Sequence, residues 1–252
     1  VCIVSSFWLC ILLSSSISII TEFFGNPQGG KSTTAVDICK NSIEIFQKEF
    51  EDKIITLQEK ASAGDKSALV SIEELQEIGP KKVLYIDLEH SFDSKWAHTL
   101  GIDNTEIEVM QPPNIAAEDI LQKVQELIES GQVGLLVLDS IPSLVTKSEL
   151  EKKYGERTVS ALAGLMTIFL RKVVPLLARY ECTMLLINQV RDNMDNPYVV
   201  STPGGQAIKF YSALRILFKI GTPVDFLGND LPASAENPAG YKITAKLVKQ
   251  KS

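Results

Sequence analysis

The sequence contains few of the residues that build disulfide frameworks and metal centres. Its four cysteines form no C-x-x-C pair and no metal-ligand spacing; they are Cys2, Cys10, Cys39 and Cys182. Histidine occurs only as His90 and His98, which argues against a histidine-rich metal site. This composition favours a reduced chain located in the cytoplasm.

An excess of positive charge is also absent. The chain has 25 Lys and Arg against 31 Asp and Glu, a formal net charge of −6. This balance excludes a uniformly basic protein that coats nucleic acid, but it is compatible with local basic loops on an acidic body. With 252 residues and 45% hydrophobic composition, the chain can build a substantial core, as one large domain or a domain with an insertion.

The first twenty residues are apolar and rich in serine, yet they lack the charge pattern of a targeting segment. VCIVSSFWLCILLSSSISII has no basic residue and continues almost directly into a glycine-rich loop. We therefore expect neither a signal peptide nor a membrane span here, and no membrane partner. We treat residues 1–19 as atypical, with residues 7–13 predicted as buried strand or helix, and a corrupted N-terminus as the alternative. The opening on Val1 leads us to expect a fragment of a longer protein.

The most informative segment is ITEFFGNPQGGKST at residues 20–33, an apolar strand running into G-x-x-x-x-G-K-S. This pattern predicts a phosphate-binding loop followed by a helix, in which backbone N–H groups converge on phosphate oxygens. Lys31 is expected at the β- and γ-phosphates, and Ser32 at Mg²⁺. The predicted nucleotide-binding residues are Gly25, Asn26, Pro27, Gln28, Gly29, Gly30, Lys31, Ser32 and Thr33. A chance match in a glycine-rich turn is the alternative, but the strand–loop–helix context argues against it.

Strand and helix patterns alternate along the chain. Strands are predicted at 82–88, 134–139, 182–188, 213–220 and 241–248, and helices at 34–46, 116–130 and 160–180, the last with a kink near Pro175. The alternation predicts an α/β fold with a mostly parallel sheet flanked by helices. The last two strands are expected to form an edge hairpin. Residues 44–81 are predicted to form an inserted, charged helical hairpin, which either covers a surface or docks a partner.

Two carboxylates follow predicted strands. Asp139 ends an apolar strand, where a carboxylate beside a phosphate loop is expected to bind Mg²⁺ through water; a helix N-cap is the alternative. Glu89 follows the strand at 82–88, where a carboxylate can activate a water for in-line attack on a γ-phosphate. From the residues alone, Glu89 is equally compatible with a carboxylate at a strand end that has no catalytic role.

Six ordered segments resemble the RecA family of DNA recombinases, specifically the divergent RecA-like proteins of bacteriophages and mobile elements of Gram-positive bacteria. They are GNPQGGKST at 25–33, VLYIDLEHSFD at 83–93, LLVLDSIPSL at 135–144, LLINQVRDNM at 185–194, STPGGQAIKFY at 201–211 and LVKQKS at 247–252. The resemblance covers residues 20–252, interrupted by the insertion. It implies a RecA-type P-loop NTPase core over residues 1–252.

The resemblance also implies roles for residues. Glu89 matches the glutamate that polarises the attacking water, and Gln189 matches a glutamine that senses the γ-phosphate; with Lys31 they form the predicted catalytic set. Asp93 matches an aspartate that contacts adenine, and Trp96 an aromatic that stacks on the base. Lys249 and Lys251 match a pair that reaches a neighbouring subunit's ATP, although an isolated K-x-K is more typical of a solvent-facing edge strand.

Two loops are expected to bind DNA. The loop at 190–205 begins beside Gln189 and carries Arg191 for phosphate contact and Gly204 and Gly205 for backbone freedom. The loop at 151–159 matches the family's first DNA loop in position; its predicted contacts are Lys152, Lys153 and Arg157. An ordinary solvated turn is the alternative for this first loop.

The resemblance implies an ATP- and Mg²⁺-dependent recombinase that binds single-stranded and double-stranded DNA, assembles as a helical filament of identical subunits, and promotes homologous pairing and strand exchange. The alternatives are a DnaB-type ring helicase and a non-hydrolysing ATP-gated mediator. Lys249 and Lys251 favour the recombinase over the helicase, and the presence of Glu89 and Gln189 argues against the mediator. Because the family's glycine-rich lead-in and C-terminal part are not recognisable, we expect truncation at both ends.

Overall fold

The structure is a computed structural model that describes residues 18–103, 106–113, 115–153, 161–191 and 201–251. The strands are β1 (Ile20–Gly25), β2 (Lys82–Asp87), β3 (Ile107–Met110), β4 (Val133–Asp139), β5 (Thr183–Gln189), β6 (Leu214–Val224) and β7 (Gly240–Gln250). The helices are α1 (Lys31–Ser62), α2 (Lys66–Ile78), α3 (Ser94–Thr99), α4 (Ala117–Glu129), α5 (Lys147–Leu150), α6 (Ala161–Tyr180) and α7 (Gln206–Tyr211), with a 3₁₀ turn at Ile141–Ser143.

The seven strands form one sheet in the order β3-β2-β4-β5-β1-β6-β7. Every neighbouring pair is parallel except β6 and β7, which form an antiparallel hairpin. The predicted α/β class and the edge hairpin are therefore confirmed. Because the carboxyl ends of parallel strands meet at one edge of the sheet, the residues that follow β1, β2, β4 and β5 lie side by side there.

Helices cover both faces of the sheet, as the continuously apolar strands predict. On one face, α4 and α6 pack against β2 and β4 through residues such as Ile120, Val124 and Leu170. On the other face, the first turns of α1 pack against β1 and β5 through Ala35 and Cys39. Strand β1 lies inside the sheet between β5 and β6 and is buried along its whole length, so the loop that follows it is held on a rigid support.

The predicted helical hairpin differs from expectation at its beginning. The phosphate-loop helix and the first arm are one continuous 32-residue helix, α1, because no glycine or proline interrupts the chain between residues 31 and 62. The second arm, α2, is capped by Asp65, which accepts from Ser67 N at 3.0 Å. Phe46 anchors α1 to the sheet, because its ring packs directly on Gly134 of β4. A Cβ on Gly134 would lie only 2.4 Å from the Phe46 ring.

Helix α6 runs as one element from Ala161 to Tyr180 with Pro175 inside it, and the short edge strand β3 was not predicted. Within the described ranges, α6 is also the one helix long and apolar enough to cross a membrane by length and composition, with a mean hydropathy of 1.7. Its Met166, Leu170 and Leu177 are buried against the sheet, which explains the apolar composition. The prediction for residues 7–13 lies outside the described residues.

Candidate active site

The phosphate loop occupies the turn between β1 and α1. Gly25 ends β1 where β6 approaches closely, and a Cβ there would lie 2.2 Å from the Phe218 carbonyl oxygen. Gly30 is the residue before α1 and has a left-handed backbone, with φ of 78°. Both positions therefore require glycine for a geometric reason. The loop ends at the N-terminus of a long helix, the arrangement that favours a bound phosphate.

Lys31 lies inside this loop with 6% of its surface exposed. Its ammonium donates to the backbone oxygens of Gly25 at 3.2 Å and Asn26 at 2.7 Å. Burial lowers the pKa of Lys31, while the nearby carboxylates of Asp139 and Glu89 act to raise it. A cation is thus held where the loop converges, and a phosphate oxygen can replace the carbonyl contacts as its partner.

Asp139 ends β4 and faces the first turn of α1. The Tyr85 hydroxyl donates to its Oδ2 at 2.6 Å, and the Ser32 hydroxyl donates to the same carboxylate. Burial raises the pKa of Asp139, the charges of Glu89 and Asp87 raise it further, and the two hydroxyl donors oppose the rise. The carboxylate and the Ser32 hydroxyl are adjacent oxygen ligands of the kind that Mg²⁺ prefers, so these residues fit the predicted ion.

Glu89, Ser140 and Gln189 form one hydrogen-bonded group. The Ser140 hydroxyl donates to Glu89 Oε1, and Gln189 Nε2 donates to the same oxygen at 3.2 Å. The three residues follow or end β2, β4 and β5, which are neighbours in the sheet. The structure therefore brings two predicted catalytic residues, Glu89 and Gln189, into direct contact.

Sequence reasoning missed the residues that hold this group in place. Asp87 is fully buried and accepts from Glu89 N at 3.1 Å, Phe92 N at 2.8 Å and Gln111 Nε2 at 2.8 Å. These bonds fix the turn that carries Glu89. Tyr85, which holds Asp139, lies two residues earlier on the same face of β2. The period of two along a strand was the signal that could have identified both.

Asp93 and Trp96 lie beyond that turn, at the start of α3. Asp93 Oδ1 accepts from Lys95 N at 2.8 Å and Trp96 N at 3.1 Å, so this carboxylate caps the helix. The Trp96 side chain has 46% of its surface exposed. Capping thus fixes the Asp93 carboxylate at the start of this short helix, and the contacts of Asp93 and Trp96 with adenine stay a prediction.

The two ends of the loop that follows β5 are linked to each other by hydrogen bonds. Val190 N donates to the Gly25 carbonyl at 3.3 Å, which links this loop to the phosphate loop. Arg191 N donates to the Ser201 carbonyl at 2.9 Å, and Ser201 Oγ donates to the Arg191 carbonyl at 3.3 Å. Residues 192–200, between these ends, lie outside the described residues. Arg191 itself lies at the base of the predicted DNA loop.

The backbone conformation and the close packing after this loop explain why residues 204 and 205 are glycines. Gly204 and Gly205 have φ values of 85° and 81°, and a Cβ on Gly204 would lie 2.3 Å from Ile208 Cδ1. Gly205 precedes the first residue of α7. Their contact with DNA stays a prediction. So does that of Lys152 and Lys153, which are exposed after α5, whereas Arg157 lies outside the described residues.

Lys249 and Lys251 contact the end of α7 in their own chain. Lys249 Nζ donates to the carbonyls of Lys209 at 2.5 Å and Phe210 at 3.0 Å. Burial lowers the pKa of Lys249, and the charges of Lys251 and Arg215 lower it further. Lys251 Nζ lies 5.0 Å from the ring centre of Phe210, a side chain with 67% of its surface exposed. The contact with a neighbour's ATP stays a prediction.

Comparison with known proteins agrees with this architecture. The profile of the RecA N-terminal domain matches residues 50–252, a range that begins after the phosphate loop. The chain is 32% identical to the protein RecA of Thermus aquaticus over 235 residues, which is 92% of this chain and 56% of that protein. It is 30% identical to the protein RecA of Mycoplasmopsis pulmonis over 255 residues, which is 95% of this chain and 71% of that protein.

A solved structure extends the agreement to the fold. The crystal structure of the RadB recombinase matches with a TM-score of 0.53 at 15% sequence identity, covering 96% of this chain and 87% of that one. This likeness shows a shared fold only. The chain spans about half the length of the first curated relatives it matches, 56% for the Thermus aquaticus protein. From the profile match and the identity with these relatives, the chain belongs to the RecA family.

Proposed function

We propose that this chain is the ATP-hydrolysing core of a DNA recombinase, which binds single-stranded DNA with ATP and Mg²⁺ and promotes pairing and strand exchange with a homologous duplex. The observation that carries the proposal is the contact of Gln189 with Glu89 at 3.2 Å, beside the buried Lys31 and Asp139. This group contains a phosphate-binding cation, a metal-binding carboxylate, a general base and a sensor at one edge of the sheet.

The first part of the mechanism is nucleotide binding. The loop from Gly25 to Gly30 would surround the phosphates, and Lys31 would exchange its carbonyl contacts for the β- and γ-phosphate oxygens. Ser32 and Asp139 would hold Mg²⁺, which, when bound, neutralises charge on those phosphates. Asp93 and Trp96 would bind the adenine from the start of α3, where the Asp93 carboxylate caps the helix.

The second part is hydrolysis. Glu89 would accept a proton from the attacking water as the general base. The donors Ser140 and Gln189 both bind its Oε1 and so fix the orientation of the carboxylate. Because Gln189 is also the last residue of β5, a change in its contacts alters the start of the loop at 190–205. This connection is the physical basis on which we propose that ATP binding and DNA binding are coupled.

The remaining parts of the proposal concern partners. Arg191, Gly204 and Gly205, together with Lys152, Lys153 and Arg157, would contact DNA through its backbone, with weak dependence on sequence. The intact protein would act as a helical filament of identical subunits in the cytoplasm, with Lys249 and Lys251 completing the neighbour's site. We propose that the helical hairpin at residues 44–81 is an insertion into the RecA-like domain. Its simplest role is to cover part of the surface of that domain.

A direct test is nucleotide titration and ATP turnover, each with and without single-stranded DNA. Lys31→Ala removes the buried ammonium, and we expect at least about 100-fold weaker ATP binding, because a charge-assisted contact with phosphate is lost. Lys60→Ala, at the far end of the same helix, is the matched control and should bind ATP normally. Unchanged affinity in Lys31→Ala would refute the phosphate-loop assignment. DNA-stimulated turnover that yields strand unwinding rather than strand exchange would refute the recombinase.

A further inference from the structure

A charged group is buried in the middle of the sheet, away from the nucleotide loop. Glu22 on β1 is fully buried, and its Oε2 accepts from Arg215 Nε on β6 at 2.5 Å. The Arg215 guanidinium also lies 4.4 Å from the ring centre of Phe24. Asn188 on β5, likewise fully buried, donates through Nδ2 to Glu22 Oε1 at 2.9 Å. Both carboxylate oxygens of Glu22 therefore have partners on the two neighbouring strands.

Stability alone does not account for this group. Moving a carboxylate and a guanidinium out of water costs free energy, and this cost can exceed the gain from their attraction. Apolar residues of similar volume often give a core equal or greater stability. A buried charged group is better suited to fixing one particular arrangement of the residues around it. In this chain the residue whose arrangement it fixes is Asn188.

Asn188 connects three separate parts of the chain. Besides its bond to Glu22, Nδ2 donates to the Pro203 carbonyl at 3.0 Å, and Oδ1 accepts from Gln189 N at 2.9 Å. Pro203 immediately precedes the two glycines and α7, whose last carbonyls accept from Lys249. In the same turn, the buried Thr202 hydroxyl has no hydrogen-bond partner among the described residues, so the hydrogen bonding of this turn is incomplete in this state.

We propose that Asn188, held by Glu22 and Arg215, is a positioning residue that couples nucleotide contact at Gln189 to the position of residues 203–211. A change in the Gln189 backbone alters the bond that Asn188 accepts, and the same amide holds the end of the DNA loop through Pro203. This proposal rests on the proposed ATPase function and assigns its coupling to a buried group that contacts neither ATP nor DNA.

Two variants separate coupling from stability. Asn188→Asp keeps the shape but removes both N–H donors and places a second carboxylate against Glu22, so this single variant is expected to be destabilised. The double variant Glu22→Gln with Asn188→Asp restores one negative charge and one hydrogen bond between the two positions. The Pro203 carbonyl still has no donor in the double variant. Ser42→Ala is a control, because it removes a buried hydroxyl bond within α1, remote from this group.

The measurement is amide hydrogen exchange in residues 204–211, with and without Mg²⁺ and a non-hydrolysable ATP analogue, together with analogue affinity and turnover with single-stranded DNA. In the parent chain we expect the analogue to change exchange in this segment by up to about tenfold, the factor that corresponds to one ordinary hydrogen bond such as that from Asn188 to the Pro203 carbonyl. The double variant should bind the analogue within about twofold of the parent affinity, yet lose both the exchange response and the DNA stimulation. Ser42→Ala should keep all three properties.

The outcomes distinguish the two proposals. If the double variant keeps the exchange response, Asn188 does not transmit the signal and the inference is wrong. If the parent chain binds the analogue but shows no exchange response at 204–211, the inference is also wrong, although nucleotide binding stands. If the parent chain binds no ATP or analogue, the proposed function fails, and the inference fails with it.

Discussion

Replacing Tyr85 by Phe removes a single hydroxyl from beneath the active site. Burial and the neighbouring charge of Asp139 raise the pKa of Tyr85 well above its ordinary value, so the hydroxyl stays protonated and acts as a donor. The ring, which packs 5.1 Å from that of Phe92, is retained in the variant. The change therefore isolates the 2.6 Å bond to Asp139 Oδ2 from the packing around it.

The magnitude follows from the surroundings of this bond. Both side chains are buried, and a hydrogen bond to a charged group contributes about 1.5–3 kcal/mol to the free energy of unfolding. For a chain of this length, each kcal/mol shifts the melting temperature by about 2–4 °C, so we expect a decrease of about 3–12 °C. Ser32 remains as a donor to Asp139, which argues for the lower part of the range.

The pH dependence has a definite sign. Burial raises the pKa of Asp139, so the folded chain holds this proton more tightly than the unfolded chain, and ionising Asp139 lowers stability as pH rises through the folded-state pKa. The Tyr85 hydroxyl favours the ionised form. Removing the Tyr85 hydroxyl should therefore lower the free energy of unfolding most above the folded-state pKa of Asp139, and less below it. Because Mg²⁺ requires the carboxylate, Mg²⁺-dependent ATP binding in Tyr85→Phe should shift to higher pH.

The assay is urea unfolding and ATP titration across pH 5–8, repeated in an Asp139→Asn background as a double-mutant cycle. In that background Tyr85→Phe should cost only about 0.5–1.5 kcal/mol, since the hydrogen bond is then neutral. Equal losses in the two backgrounds, or a loss in the parent that does not change with pH, would refute the argument that Tyr85 acts on the charge of Asp139.

Three further predictions concern catalysis, DNA and assembly. Glu89→Gln should bind ATP normally but hydrolyse it about 100-fold or more slowly in a steady-state assay, and parental turnover would exclude a general base. Arg191→Ala should weaken binding to unrelated single-stranded sequences equally and reduce the salt slope by about one, whereas a loss for one sequence only would contradict backbone contact. In a chain extended to the length of its relatives, Lys249→Ala with Lys251→Ala should keep nucleotide binding but lose DNA-stimulated turnover, and retained stimulation would argue against their role.

The local parts of the site could be predicted from the sequence. The phosphate loop is contiguous, so its glycines, Lys31 and Ser32 are recognised by spacing alone. Asp139 and Gln189 end apolar strands, and the parallel fold then requires both to lie at one edge of the sheet. The α/β class could also be predicted locally. The periodicity of apolar residues shows whether each segment is a helix or a strand, and the alternation of helices and strands then indicates a mostly parallel sheet.

The remaining features depend on pairs that are distant in sequence. The Tyr85 hydroxyl meets Asp139 across 54 positions, and Asn188 meets Glu22 across 166, so no local pattern indicates either bond. The unbroken α1 was divided in the prediction because apolar spacing alone does not show where one helix ends. For Lys249 the sequence offered a subunit interface or a solvent-facing edge strand, since nothing in K-x-K indicates that its ammonium binds the end of α7.

The position of Lys249 and Lys251 in the sheet bears directly on how they can act. Their strand is antiparallel to β6, and Lys251 N donates to the carbonyl of Ala213, just before β6 begins. The phosphate loop lies at the other edge, where Gly25 pairs with Phe218. Lys251 lies opposite Ala213 and Lys249 opposite Arg215, which are five and three residues from Phe218. At about 3.3 Å per residue these separations are about 17 Å and about 10 Å along the strand, and both exceed the reach of a lysine side chain. If these lysines contact a γ-phosphate, it must therefore belong to another subunit. In that case the end of α7, which these lysines contact, would also lie at the interface, and α7 begins three residues after Pro203, whose carbonyl accepts from Asn188.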